Sequence, residues 1–249
     1  MAAILQNLRT TYSERQNYKY LDILGMFYVT ALLVSTFAAC KLVSFGSVAL
    51  PGTIIVYSVT YILSDIFTEV YGYKAARRII WTGMILLIFA NIILYIISVL
   101  PAAPEYKDQE SFAKIFQGAP LYTLATIASY LSGEFVNSYT MAKLKIWMNG
   151  KFLWIRTVGS TMFGTAVDFT VYTLIAYGFV MSLGDAAKMI AIGWLICVAY
   201  EALATPITYK IINFLKRAEG VDIYDRGTDF NPFHVMQTPK NYKPFSVRE

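Results

Sequence analysis

The chain has 249 residues, of which 57% are hydrophobic and 16% aromatic but only 15% charged, with a net charge of +5. Charges sit in short clusters between long uncharged runs, which is the profile of a polytopic membrane protein and argues against a disordered or nucleic-acid-binding chain. One histidine, His234 in the polar tail, and two cysteines, Cys40 and Cys197 inside apolar runs, leave almost no material for a zinc site or a histidine-based hydrolase.

Apolar runs long enough to cross a roughly 30 Å hydrocarbon core occur at 21–43, 48–71, 79–100, 119–142, 157–183 and 186–215. The expected fold is all-α: six transmembrane helices in one domain over 1–217, and a polar tail at 218–249 with little fixed structure. The first run is too long for the apolar core of a signal peptide and lacks a clear cleavage site, so it reads as a retained span. No lipidation signal replaces it.

Lysine and arginine set the expected orientation. With the N-terminus inside, the inner segments hold Arg9, Arg15, Lys19, then Lys74, Arg77, Arg78, then Lys143, Lys145, Lys151, Arg156, then Lys210, Lys216, Arg217 and the tail. The outside keeps Lys41, Lys107, Lys114 and Lys188, so both termini are expected to be cytoplasmic. The net charge is topological and implies no nucleic-acid partner.

In chain order, Gly46 and Pro51-Gly52 end the first helix and begin the second, forming a tight hairpin of helices. Residues 64–78, SDIFTEVYGYKAARR, then carry Asp65 and Glu69 to the end of the second span and into a basic turn. The third span is apolar except for Asn91, and the loop after it predicts a short interfacial helix or a lid at 111–116. A polar stripe with Gly133, Glu134 and Asn137 marks the fourth span, and small and hydroxyl residues open the fifth before Asp168. The sixth holds Glu201, with Pro206 inviting a kink five residues later.

Asp65, Glu134 and Glu201 each precede a lysine (Lys74, Lys143, Lys210) by nine positions. At about 1.5 Å per residue each acid then lies roughly 13 to 14 Å above the cytoplasmic face. Asp168, on a helix running the other way from Arg156, reaches a similar depth. The equal spacing fits three helical hairpins around a midplane cavity, or is coincidence among polar breaks. Intramembrane acids are costly, so a layer of four reads as a substrate site, with structural carboxylates bonded to Ser, Thr and Tyr as the alternative.

Glu69 lies one turn nearer the cytoplasm, where pairing with Lys74 or Arg77 makes it an ion pair or a gate. Arg156 either anchors its helix end or compensates an inner acid. Tyr61, Trp194 and Tyr200, with Tyr57, Phe163 and Tyr172, offer faces for stacking a planar ligand, or simply pack.

Three segments, SDIFTEVYGYKAARRIIW, GEFVNSYTMAKLKIW and WIRTVGSTMFGTAVDFTVY, together resemble the queuosine precursor transporter family, also called the vitamin uptake transporter family, of bacterial inner-membrane proteins. The resemblance implicates Asp65, Glu69, Tyr71, Gly72, Arg78, Glu134, Asn137, Arg156, Ser160, Thr161, Gly164 and Asp168. The chain departs from the pattern at Thr165 and Phe169, where the family commonly has polar residues, and the tail lies outside it.

The resemblance implies import of 7-deazaguanine bases for tRNA modification, such as 7-cyano-7-deazaguanine, 7-aminomethyl-7-deazaguanine or queuine. The substrate-binding set is then Asp65, Glu134, Asn137, Asp168, Glu201, Tyr61, Trp194 and Tyr200, with Glu69, Arg78 and Arg156 as gating or ion-pair residues. No cofactor or metal is expected. Proton coupling and a homodimer through small-residue faces are both compatible with the sequence. A substrate-binding subunit of a multi-component importer is the nearest rival, and a membrane enzyme using clustered carboxylates is the rival of a different class.

Overall fold

The computed structural model describes residues 18–39, 41–45, 48–116 and 120–234; Arg9, Arg15, Cys40, Gly46 and the tail beyond 234 lie outside them. Long helices dominate: α1 (Leu21–Ala38), α2 (Thr53–Ile66), α3 (Tyr73–Val99), α5 (Pro120–Trp147), α6 (Leu153–Tyr177) and α7 (Leu183–Glu219). A π-helical turn, Phe67–Tyr71, continues α2, and the short amphipathic α4 (Gln109–Phe116) occupies the loop where a short helix is expected. The turn between α1 and α2 holds a two-stranded antiparallel ribbon, β1 (Leu42–Phe45) against β2 (Val48–Pro51). It takes up residues that the apolar pattern alone assigns to the ends of the first two spans.

The distribution of side chains is inverted relative to a water-soluble fold. Phe27, Ile85, Phe89, Ile92, Leu203 and Ile207 point outward, whereas Asp65, Glu69, Glu134, Asn137, Thr157, Ser160 and Thr165 are buried. Lipid solvates the first set and cannot hydrogen-bond the second, so this partition is stable only in a bilayer. Four segments, Leu21–Ala38, Thr53–Tyr71, Tyr73–Val99 and Leu183–Glu219, are long and apolar enough to cross one. The polar helices α5 and α6 are also long, at 28 and 25 residues.

Burial within those spans sets the arrangement. It reaches 61% in the α2 segment against 17% in α1 and α3, so α2 is enclosed by the others. The tightest pairing is α5 with α6, and two glycines set it. A Cβ at Gly164 would lie 2.7 Å from Asn137 Cβ and 3.0 Å from the Gly133 carbonyl oxygen. One at Gly133 would lie 2.6 Å from the Tyr61 hydroxyl and 2.7 Å from Asp168 Cβ. Bare backbones therefore touch here, as small residues permit in membranes, and the contact carries Asn137, Asp168 and Tyr61 to one place.

The basic end of the bundle is tied by residues far apart in sequence. The Glu219 carboxylate accepts from the Lys19 and Tyr20 amides at 2.9 and 2.8 Å and from the Tyr71 hydroxyl at 3.0 Å, supplying the cap that the N-terminus of α1 lacks. Residues 220–234, expected to have little fixed structure, instead form an irregular strap across this end. Asp225 caps α3 through the Tyr73 amide at 2.9 Å, Arg77 donates to the Asp229 and Asn231 carbonyls, and Trp81 Nε1 donates to the Pro232 carbonyl at 2.7 Å. The apolar pattern misses this because the strap docks by hydrogen bonds rather than by a core of its own. At Gly72, φ is +81° and an added Cβ would lie 2.8 Å from Ile223 Cγ2, so glycine is required both by conformation and by the strap.

Gly164→Ala is expected to cost about 1–3 kcal/mol of stability, because the Cβ meets backbone and a branch point across the helix crossing. Gly159→Ala, whose Cβ would meet the mobile end of Leu144 at 3.3 Å, serves as the tolerated control. Thermal melts of the detergent-solubilised pair check this; equal melting temperatures contradict it.

Candidate functional site

Two buried polar clusters lie along α2, and they differ in how completely their charges are met. The first surrounds Glu69, which the π-helical turn places fully inside. Its Oε1 accepts from Lys216 Nζ at 2.6 Å and Arg156 at 2.8 Å, with Lys145 Nζ at 3.7 Å. Lys145 also donates to Asp222 at 2.6 Å and to the Glu69 and Ile223 carbonyls, and Lys216 lies 2.8 Å from Asp222. Two acids and three cations from α2, α5, α6, α7 and the strap thus lock together.

The sequence names Glu69 and Arg156 as ion-pair residues, and the two meet, but it pairs Glu69 with Lys74 or Arg77 rather than with Lys145 and Lys216. Lys74 is exposed, and Arg77 turns to the strap carbonyls. Arg78 points outward and takes no part, since its neighbour Arg77 occupies the inward position on the helix. Lys145 and Lys216, counted in the sequence only as topological charges, are the pairing residues. Helical period carries a signal for both: Asn137, Met141 and Lys145 form one stripe of α5, and Glu201, Thr205, Thr208, Ile212 and Lys216 one stripe of α7.

The second cluster is the acid group. Asp65, Glu134, Asp168 and Glu201 are each at most 5% exposed. Lys74, Lys143 and Lys210 are exposed, as the nine-residue spacing requires of interfacial anchors. Asp65 is the satisfied member: Asn137 Nδ2 donates to its Oδ1 at 2.9 Å, and Ser160 Oγ lies 3.1 Å from both oxygens. Glu201 and Glu134 are its acidic neighbours, and Asp168 is that of Glu134.

The other acids lack donors. Neither oxygen of Glu134 or of Glu201 has a hydrogen-bond partner, nor do Asp168 Oδ1, Asn137 Oδ1 and the Tyr61 and Thr161 hydroxyls. Tyr28 and Ser64 face Glu134, and Ser129 and Tyr57 face Asp168, without completing hydrogen bonds. Tyr28 has no proton to spare. Tyr130 donates to the Ile80 carbonyl at 3.0 Å, so the 3.0 Å contact between the two tyrosines uses the Tyr28 proton. Buried unpaired acceptors each cost about 1–3 kcal/mol, more when charged, and this cluster holds most of those among the described residues, Glu69 Oε2 being the exception among the carboxylates.

Of the aromatics expected at the site, Tyr61 is there, in edge contact with Tyr57 at 5.5 Å. Trp194 is not among the acids: its indole donates to the Met162 carbonyl at 2.9 Å, fastening α7 to α6 near the surface. Tyr200 is 36% exposed and faces outward, one position before the inward Glu201. Phe163 is exposed as well. At the two departures from the family pattern, Thr165 donates back to the Thr161 carbonyl at 2.6 Å, and the Phe169 ring fills the space over Gly193 of α7. Neither presents a polar group to the acids.

An apolar exterior around an enclosed acidic interior defines a multi-pass helical membrane protein. Residues 51–211 match the family described as "Putative vitamin uptake transporter", and the chain belongs to that family; it is a membrane transporter. Over 134 residues it is 23% identical to a Bacillus subtilis (strain 168) protein named "Probable queuosine precursor transporter", an alignment covering 53% of this chain and 58% of that protein. The chain thus spans little more than half the length of this relative. No solved structure matches it.

Removing the negative centre of the first cluster is expected to be severe. Glu69→Gln leaves the buried Arg156 without an anion and Lys145 and Lys216 with Asp222 alone, and should cost about 3–5 kcal/mol, read as a fall in melting temperature. The strap adds a pH dependence. Burial alone would raise the Asp222 carboxyl, but Lys145 and Lys216 overbalance it and hold it below the ordinary value. Its contribution is therefore present at neutral pH and lost as the pH falls below about 4. Protease cleavage within 220–234 should rise over that range, and Asp222→Asn should abolish the rise.

Proposed function

We propose that the chain imports 7-deazaguanine bases across a bacterial inner membrane for tRNA modification. In this reading all six long helices cross the bilayer, with both termini and the basic end cytoplasmic, as the lysine and arginine distribution favours. The observation that carries it is the set of unpaired acceptor oxygens on Glu134, Asn137 and Asp168 at the Gly133–Gly164 crossing. A guanine-type edge presents N1–H and a 2-amino group, donors that one carboxylate accepts side by side. Glu134 or Asp168 takes that edge, Tyr61 borders the ring, and Glu201 faces any cationic aminomethyl arm. The name of the Bacillus subtilis relative and the resemblance of the three acid-bearing segments support the same cargo.

The Glu69 cluster and the strap act in this reading as the cytoplasmic gate. Cargo bound among the acids reaches the cytoplasm only when Glu69 parts from Lys145, Arg156 and Lys216. Substrate transport by one chain, rather than delivery to a partner complex, is tested by uptake into liposomes holding the purified protein alone.

Glu134→Gln and Asp168→Asn are each expected to weaken base binding about ten- to hundredfold, the equivalent of a lost charge-assisted hydrogen bond. Uptake by a strain dependent on base salvage should fall to background with membrane levels of the protein unchanged. Undiminished uptake by both variants would refute the assignment.

A further inference from the structure

Asp65 and Asn137 are placed together on the sequence as members of one ligand-binding set, but their geometry gives them different work. A carboxylate is acceptor-only, and an asparagine amide has one donating end and one accepting end. Asn137 meets Asp65 through Nδ2 at 2.9 Å, and the reverse orientation would set a carbonyl oxygen against a carboxylate oxygen. Asp65 therefore dictates which end of the amide is spent. The end left over, Oδ1, is buried and unpartnered. Glu134, one turn earlier on the same helix, has both oxygens unpartnered, and Asp168 Oδ1 is unpartnered across the glycine crossing.

We propose that Asp65 is a positioning residue that does not touch the cargo: by holding the Asn137 amide nitrogen it turns Oδ1 toward the ligand, so that the wall formed by Glu134, Asn137 and Asp168 presents acceptors, the Tyr61 hydroxyl at the same crossing being a donor beside it. The wall then selects a planar base whose inner edge is built of donors, as in a 2-amino-oxo pyrimidine ring, and rejects an edge carrying a ring-nitrogen acceptor, as in an adenine-type base. A rejected edge leaves two acceptors face to face without water, the arrangement that discriminates most strongly in a buried site. Ser160 shares its one proton between the Thr157 carbonyl at 2.9 Å and the Asp65 oxygens at 3.1 Å, so the Asn137 amide is the principal donor to Asp65. The inference rests on the deazaguanine reading and adds to it the residue that sets edge polarity.

The test is a swap. Purified full-length protein is titrated with 7-deazaguanine and with 7-deazaadenine, reading thermal stabilisation and dissociation constants. The wild type should prefer 7-deazaguanine. In D65N the amide at 65 offers a donor and an acceptor alike, so Asn137 is no longer held in one orientation, and the preference should fall at least tenfold. The double variant D65N/N137D keeps one amide and one carboxylate with their places exchanged. Its new carboxylate accepts from the amide at 65 and still presents an acceptor to the cargo, so the preference should return toward the wild-type value. Because the double variant nearly conserves volume and hydrogen-bond count, it guards against a D65N protein that does not fold. An unchanged preference in D65N, or a well-folded swap that does not regain it, overturns the positioning role. A wild type that 7-deazaguanine does not stabilise at all refutes the cargo reading on which the inference rests.

Discussion

Hydrocarbon offers no hydrogen bonds, and that constraint shapes this molecule more than any single contact. Every polar group on a crossing helix must turn inward and find a partner there. With acids on α2, α5, α6 and α7, four helices must approach the same region, and side chains of ordinary size would hold them apart. Gly133 and Gly164 remove that obstacle by letting α5 and α6 meet backbone to backbone. The crossing is thus the consequence of the buried acids and the condition for their being close.

The two polar clusters show two ways of meeting that constraint. Around Glu69, cations from three helices arrive with additional carbonyl partners, and the charge is compensated to the point where losing one member is worse than losing the whole set. Around Glu134 and Asp168, donors are withheld: Tyr28 and Tyr130 spend their protons on each other and on the Ile80 carbonyl, and Ser129 turns back to the Thr126 carbonyl. The charge-compensated cluster, where Glu69 Oε2 and Arg156 Nε still lack partners, holds the fold. The unsaturated one carries a penalty of several kcal/mol that any donor-bearing ligand reaching it would relieve.

How much of this is legible in the sequence follows from what kind of information each feature needs. Depth is one-dimensional, so nine residues from acid to lysine place Asp65, Glu134 and Glu201 inside and leave Lys74, Lys143 and Lys210 at the surface. Pairing is three-dimensional, and the one-dimensional reading fails there: it matches Glu69 with the nearby Lys74 or Arg77, whereas the real partners lie on α5, α6 and α7. The period of buried positions points to Lys145 and Lys216, but only once a helix face is known to be inward. Tyr200 illustrates the angular error, since one position along a helix turns a side chain by about 100°. The strap is the least legible part. Its polar composition resembles that of an unfolded tail, and it docks through isolated hydrogen bonds to the first turn of α3, Arg77, Trp81 and Lys145, which leave no periodic signal.

The two clusters are also mechanically joined. Asp65 and Glu69 stand four residues apart on the enclosed helix, with the start of the π-helical turn between them. The side chains that bind Glu69 come from α5, α6 and α7, the same helices that supply Asn137, Ser160 and Glu201 around Asp65. Helices α5 and α6 are therefore each pinned twice, once at the basic end and once at Asp65, and the two pins are separated by two turns on α5 and one on α6. A rigid helix pinned so closely cannot swing away at the basic end without shifting the residues around Asp65. Any displacement at Glu69 is therefore felt around Asp65, and the irregular π-helical turn is the segment of α2 best able to absorb it.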